Sequence, residues 1–151
     1  MEETRKDLNF NPNEDEIKFI SDSLDEYNFR LVEKDNHQLL NIVKYDDYEN
    51  IIGGLIGGTY WGWLYVDRLW IKDSYRKKGI GSSLLEEAEK EAIRRGCCFA
   101  HLDTMSFQAL GFYKKNHYKV KTVIKDQNAP FCQYKISGSL RCVKPPVCCP
   151  G

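Results

Sequence analysis

Between Leu69 and Ala92 an apolar run, Leu69-Trp70-Ile71, passes through Arg76-Lys77-Lys78-Gly79-Ile80-Gly81 into Ser82-Ser83-Leu84-Leu85-Glu86-Glu87-Ala88. That order predicts a strand, a basic glycine-bearing turn and an amphipathic helix. The N–H groups of a helix's first turn have no intrahelical acceptor, and the aligned peptide dipoles favour negative charge there. Two glycines let main chain approach an anion without an intervening Cβ, and three cationic side chains stand beside them. A phosphate-bearing ligand is the first implication.

The chain has 151 residues, the length of one domain, and 22 Lys plus Arg balance 22 Asp plus Glu. A formal net charge of zero gives no global pull toward nucleic acid or an anionic membrane, so the basic turn must act locally. The charged start, Met1 to Asp7, lacks the apolar core of a signal peptide, and no window reaches the ~18 apolar residues of a membrane span. A cytoplasmic location is expected. Of six cysteines, Cys97, Cys98 and Cys132 lie in apolar surroundings and Cys142, Cys148 and Cys149 crowd a proline-bearing end. A reducing compartment would leave most of them as free thiols. With no Cys-x-x-Cys and scattered histidines, a metal site is not expected.

Asn11-Pro12-Asn13-Glu14 resembles a helix start, and Ile17, Ile20, Leu24 and Leu31 recur near helical spacing, which predicts a helix over 12–30. Residues 38–45 and 51–60 predict a hairpin around the turn Asp46-Asp47-Tyr48-Glu49-Asn50. The cluster Gly53-Gly54…Gly57-Gly58 lacks a basic residue and a following helix, so it reads as a twist or bulge in the second strand. A long apolar strand is predicted over 63–71. The helix over 79–95 places Leu84, Leu85, Ala88 and Ala92 on one face and ends at Gly96. A strand over 97–104, a short helix over 107–115, strands over 118–125 and 131–136, and an irregular tail over 137–151 complete the pattern. An α/β (α+β) domain with a mixed sheet follows, occupying residues 1–136.

Spacing separates the phosphate motifs. No glycine is followed by Lys and then Ser or Thr, which excludes a nucleoside-triphosphate loop. A dinucleotide fingerprint needs a third glycine where Leu84 stands. The remaining pattern, Arg-x-x-Gly-x-Gly at 76–81, resembles the pyrophosphate loop of the GNAT N-acetyltransferase superfamily. Leu69 and Ile71 upstream, Ala109-Leu110-Gly111-Phe112-Tyr113 with Asn116-His117-Tyr118 downstream, and Leu102-Asp103-Thr104-Met105-Ser106-Phe107-Gln108-Ala109 extend the resemblance over residues 8–136. It implies a mostly antiparallel central sheet flanked by helices, and acetyl-CoA as donor. Contacts to the donor would come from Leu69, Trp70, Ile71, Arg76, Lys77, Lys78, Gly79, Ile80, Gly81, Ser82 and Ser106. The implied acceptor is a primary amine on a small molecule or peptide, and a homodimer is a family-level expectation.

Acetyl transfer to an amine requires an uncharged nucleophile, a donor to the developing oxyanion and a proton for the departing thiolate. A lysine-like amine is neutral only about one part in 2,500 at pH 7, so a base assists. Strand period two would put residues 65, 67, 69 and 71 on one face, making Asp67 a base or ammonium anchor, with Asp103 the alternative. Asp67 also suits a strand-end ion pair with Arg68. A main-chain N–H near Leu69 to Ile71 suits the oxyanion, being oriented before reaction. By resemblance, Tyr113 would protonate the thiolate. The chain departs from the family at Tyr65, where glutamate is frequent, and at Ser106, where asparagine is. Those departures keep a non-catalytic acyl-CoA-binding module as the rival. Trp61, Trp63 and Trp70 are core or slot residues, and His101 shares a strand face with Asp103.

Overall fold

The computed structural model describes residues 7–33 and 36–141. The backbone separates into two compact units, residues 1–35 and 36–151. The first holds helix α1, Glu14–Phe29, inside the range predicted. Its cap is Asn13 rather than Asn11. The Asn13 side chain accepts from the Glu16 N–H (2.9 Å) while the Glu16 carboxylate accepts from the Asn13 N–H (2.8 Å). This reciprocal box outcompetes the Pro12 start.

The second unit is a six-stranded sheet in the order β1-β2-β3-β4-β6-β5. β1 (Gln38–Tyr45), β2 (Ile51–Tyr60) and β3 (Trp63–Ile71) form an antiparallel meander with the predicted bounds. The helix α2 (Ile80–Arg94) then carries the chain to β4 (Phe99–Met105), which pairs parallel to β3. Helix α3 (Leu110–Lys115) precedes β5 (Lys119–Ile124) and β6 (Gln133–Ser139), and β6 inserts antiparallel between β4 and β5. The mixed, mostly antiparallel sheet matches the expected class. No helix among the described residues is long and apolar enough to cross a membrane.

The core lies between one sheet face and α2. Leu55, Leu64 and Leu85 are fully buried there, joined by Ala88, Ala92, Ala100 and Leu102. Arg95 anchors the end of α2, donating to the Leu39 carbonyl (3.1 Å) and pairing with Glu91 (2.7 Å). Past Arg95, the Cys97 N–H reaches the Ala92 carbonyl and the Gly96 N–H that of Ile93, a paired C-terminal cap. Cys97 and Cys132 are free thiols, whereas Cys98 is disulfide-bonded.

β4 starts at Phe99 rather than 97 and β6 at Gln133 rather than 131, and two further ends shift by three residues. α3 starts at Leu110, not 107, because the Gln108 side chain accepts from the Met105 N–H (2.8 Å) and the Thr104 hydroxyl (3.3 Å), holding a non-helical turn. β6 reaches Ser139, since Ser137, Gly138 and Ser139 pair with His101, Ala100 and Phe99 of β4. Residues 137–139 are therefore strand rather than irregular tail, and the cysteines from Cys142 onward lie outside the described residues.

The glycine cluster in β2 does accompany a bulge. Ile56 faces Arg68 but Gly57 faces Val66, leaving Asp67 as the extra residue on β3. A Cβ on Gly57 would come within 2.2 Å of the Tyr65 carbonyl oxygen, a backbone atom that cannot swing away. Gly57→Ala is expected to cost about 2 kcal/mol by overpacking. A melting temperature lowered by roughly 4–8 °C would show it, and an unchanged melt would contradict the tight approach.

Candidate active site

The bulge decides which β3 side chains face the core. Leu64 and Val66 are buried on the α2 side, and past the bulge Leu69 packs against the same cluster. The alternation thus changes phase at Asp67. Residues 65, 67, 69 and 71 do not share one face, contrary to simple period two. Tyr65 lies on the opposite face, its hydroxyl 2.9 Å from His37 Nε2 and its ring edge-on to Tyr60.

A wedge opens at the same level. β3 and β4 pair only from Trp63↔Phe99 to Val66↔Leu102. Beyond that, Arg68–Ile71 pair with β2 alone and Asp103–Met105 with β6 alone. Alternate residues of 68–71 therefore direct main-chain N–H and C=O groups into the gap, where no strand meets them. Leu69, Trp70 and Ile71 line this edge, and Trp70 is exposed.

At the end of β3 a 3₁₀ turn, Asp73–Tyr75, delivers the basic turn. Arg76 folds back, its Nε donating to the Ile71 carbonyl (3.1 Å) and its Nη2 pairing with Asp73 (2.9 Å). Lys77 (φ 60°) and Gly79 (φ 81°) both adopt left-handed backbone, and Lys78 lies 5.3 Å from the Tyr75 ring centroid. Gly79 caps α2 without a side-chain hydrogen bond, and the first turn holds no acidic residue. The N–H groups of Ile80, Gly81 and Ser82 point away from the helix with no carboxylate to satisfy them. α1 shows the contrast, since Glu14, Asp15 and Glu16 fill its first turn. The starts of α1 and α2 are thus built for opposite purposes, and of these two that of α2 is left open to an anion.

The same corner gathers β3, α2 and α3. A Cβ on Gly81 would stand 3.1 Å from the Phe112 ring and 3.7 Å from Ile71 Cγ1. Tyr113, the next residue of α3, is buried, its ring 5.0 Å from Phe112 and 6.1 Å from Tyr118 between centroids. Burial pushes its phenol pKa up. Among the described residues no hydrogen bond engages the Tyr113 hydroxyl, whereas Tyr118 donates to Glu89 (2.8 Å). Burial raises the Glu89 carboxyl, opposed by that hydrogen bond. Sequence reasoning missed the Glu89–Tyr118 pair, whose members are 29 residues apart and carry no local signature.

The other expected residues lie elsewhere. Asp67 is exposed on the bulge, 3.4 Å from the Arg68 guanidinium. Asp103 occupies the face of β4 away from the core, paired with Lys135 (3.0 Å) and accepting from Gln133 (3.3 Å). Ser106 exchanges two hydrogen bonds with Cys132, its N–H donating to the carbonyl (2.9 Å) and its Oγ accepting from the N–H (3.2 Å). It is thus tied to the approach to β6 rather than to the basic turn. The structure brings together Ile71, Gly81 and the α3 aromatics on one face, and Tyr65, His101 and Asp103 on the other. No group of three or more metal-ligating side chains occurs among the described residues.

His101 is half-buried, its Nε2 2.8 Å from the Tyr60 hydroxyl and its ring edge-on to Trp63. Burial lowers its pKa, Asp103 opposes the shift and Lys135 adds to it. Since the unfolded chain takes this proton more readily, the contribution is complete above the unfolded value of about 6.5 and is lost as pH falls toward the folded pKa. Thermal melts between pH 7 and 5 are expected to show a loss that His101→Gln reduces. Parallel pH profiles for the two proteins would remove His101 as its source.

Known proteins resemble this chain in sequence and in fold. The family model for the GNAT acetyltransferases matches residues 3–118. An acetyltransferase of Agrobacterium fabrum is 41% identical over 98 residues, covering 65% of this chain and 72% of that protein. The blasticidin-S acetyltransferase of Streptomyces morookaense is 40% identical over 77 residues, half of this chain and 57% of that one. A crystal structure of an acetyltransferase from Bacillus cereus superimposes with a TM-score of 0.77 at 32% identity, covering 88% of this chain and 97% of the other. Likeness in sequence over most of the chain and in fold over 88% of it agrees, and the chain belongs to the GNAT acetyltransferase family.

Proposed function

We propose that the protein is an N-acetyltransferase that moves acetyl from acetyl-CoA to a primary amine by direct attack. The observation that carries this reading is the wedge between β3 and β4 leading to the open, basic start of α2. A pyrophosphate fits the free N–H groups of Ile80, Gly81 and Ser82, with Arg76, Lys77 and Lys78 beside it. The pantetheine arm, a chain of amides, suits the unpaired main-chain groups of Leu69 to Ile71, much as a further strand would. Acetyl-CoA supplies the activated thioester. In this reading the amine nitrogen bonds to the acetyl carbon as the carbon–sulfur bond breaks. A main-chain N–H of the wedge donates to the carbonyl oxygen, Tyr113 gives its proton to the thiolate, and Asp67 or Asp103 draws the proton from the amine.

The decisive experiment incubates the full chain with acetyl-CoA and a panel of polyamines, aminoglycoside-like antibiotics, nucleoside antibiotics and lysine peptides, with acetylated product followed by mass spectrometry. Product with at least one class, matched by equal release of CoA, supports the proposal. Tight acetyl-CoA binding with no product from any class would favour a non-catalytic acyl-CoA-binding module.

A further inference from the structure

On the sheet face away from α2 lies a cleft of about 470 Å³, within the size range of small-molecule sites. It has two chemically distinct ends. At one, Tyr60, Trp61 and Trp63 from the β2–β3 turn present aromatic surface around His101. At the other, Asp103 pairs with Lys135 of β6, and Lys121 of β5 joins them in the lining. Lys121 is itself a bulge residue, because Val120 faces Ile136 while Thr122 faces Lys135. Asp103 is neutralised by Lys135 at 3.0 Å, and Lys121 forms no ion pair among the described residues, so this end carries one positive charge in excess. Asp103 is also the first β4 residue beyond the last β3–β4 pair, Val66↔Leu102, which puts the charged end beside the wedge.

We propose that this cleft binds the acceptor, and that the acceptor is a small amine joined to a planar unsaturated ring and bearing an anionic group. The reaction assigned to that acceptor rests on the acetyl-transfer reading above; the ligand class rests on the cleft itself. The donor occupies the α2 side of the sheet in that reading, so the amine attacks from the opposite face. A planar ring stacks on the tryptophan and tyrosine faces, which offer large, rigid contact area. Lys121 meets the anionic group, and the amine nitrogen lies beside the wedge, where Asp103, still able to accept a hydrogen bond, receives one from it. An aliphatic polyamine fits poorly, having neither a ring for the aromatic end nor a negative charge for Lys121.

Four free amines separate the two requirements: phenylalanine with ring and carboxylate, phenethylamine with ring alone, norleucine with carboxylate alone, and hexylamine with neither. Ligand-observed NMR on the full chain measures binding, and mass spectrometry of the same samples with acetyl-CoA measures transfer. Phenylalanine is expected to bind about tenfold more tightly than any of the other three. Lys121→Glu, an exposed change, is expected to remove most of that preference while leaving acetyl-CoA affinity unchanged. Equal binding of hexylamine and phenylalanine, no binding of any of the four, or an unaltered preference in Lys121→Glu would each overturn the assignment. Selective binding without acetylated product from these amines or from the wider panel would leave the cleft assignment standing and count against the acetyl-transfer reading instead.

Discussion

Replacing Tyr113 with phenylalanine is expected to lower kcat for acetyl transfer about a hundredfold, with the KM for acetyl-CoA changed less than twofold. The aromatic ring is held by Phe112, Tyr118 and the surrounding core, and phenylalanine fills the same space. Because no described residue takes or gives a hydrogen bond at the Tyr113 hydroxyl, its removal orphans no partner, and the melting temperature is expected to stay within a degree or so. The two readouts therefore separate. A structural tyrosine would lose stability or nothing, whereas a proton donor loses turnover alone. Burial keeps the phenol protonated at neutral pH, so its own deprotonation slows the wild type only at strongly alkaline pH, and Tyr113→Phe should lack that descending limb. Equal kcat for the two proteins would return Tyr113 to the core.

Arg76→Glu is expected to raise the KM for acetyl-CoA by about a hundredfold while leaving kcat at saturating donor within a few-fold of wild type. The new carboxylate would stand beside Asp73, which now pairs with Arg76, and would face the uncapped amides of α2 with the wrong sign for a second anion. The charge reversal also removes the Arg76 bond to the Ile71 carbonyl, so a melting curve is needed alongside the kinetics. A lowered melt with unchanged KM would make Arg76 a clamp on the strand end and remove it from donor binding. Rising salt should weaken acetyl-CoA binding to the wild type more than to Arg76→Glu.

What could be read in advance follows from where the determining contacts lie. β1, β2 and β3 have their expected bounds because Asp46 to Asn50 and Trp61-Gly62 mark the turns locally. The α2 face formed by Leu84, Leu85, Ala88 and Ala92 follows from helical spacing. The basic turn was legible for the same reason, since its geometry is set within about ten residues. A bulge was legible in the β2 glycines, but its extra residue was not, because Asp67 lies on the partner strand β3, between the partners of Ile56 and Gly57, and Gly57 admits the Tyr65 carbonyl. The Asp103–Lys135 pair and the Tyr60–His101 bond join residues 32 and 41 apart, so neither has a sequence signal of its own. In the cleft proposed for the acceptor, the sequence offered Trp61, Trp63 and the shared face of His101 and Asp103, while the joining of its two ends belongs to this second kind of contact.

The phase change in β3 has a consequence for how the chain can vary. Its one supernumerary residue lets Leu64, Val66 and Leu69 reach the same core while the strand departs from its parallel neighbour. For the fold, what matters at position 67 is thus the count of residues more than their chemistry. Exchanging Asp67 for another side chain leaves the spacing whole, whereas losing a single residue there would turn either the first half of the strand or the second inside out. The locus is permissive to spelling and intolerant of length, and insertions or deletions are far more hazardous to it than substitutions.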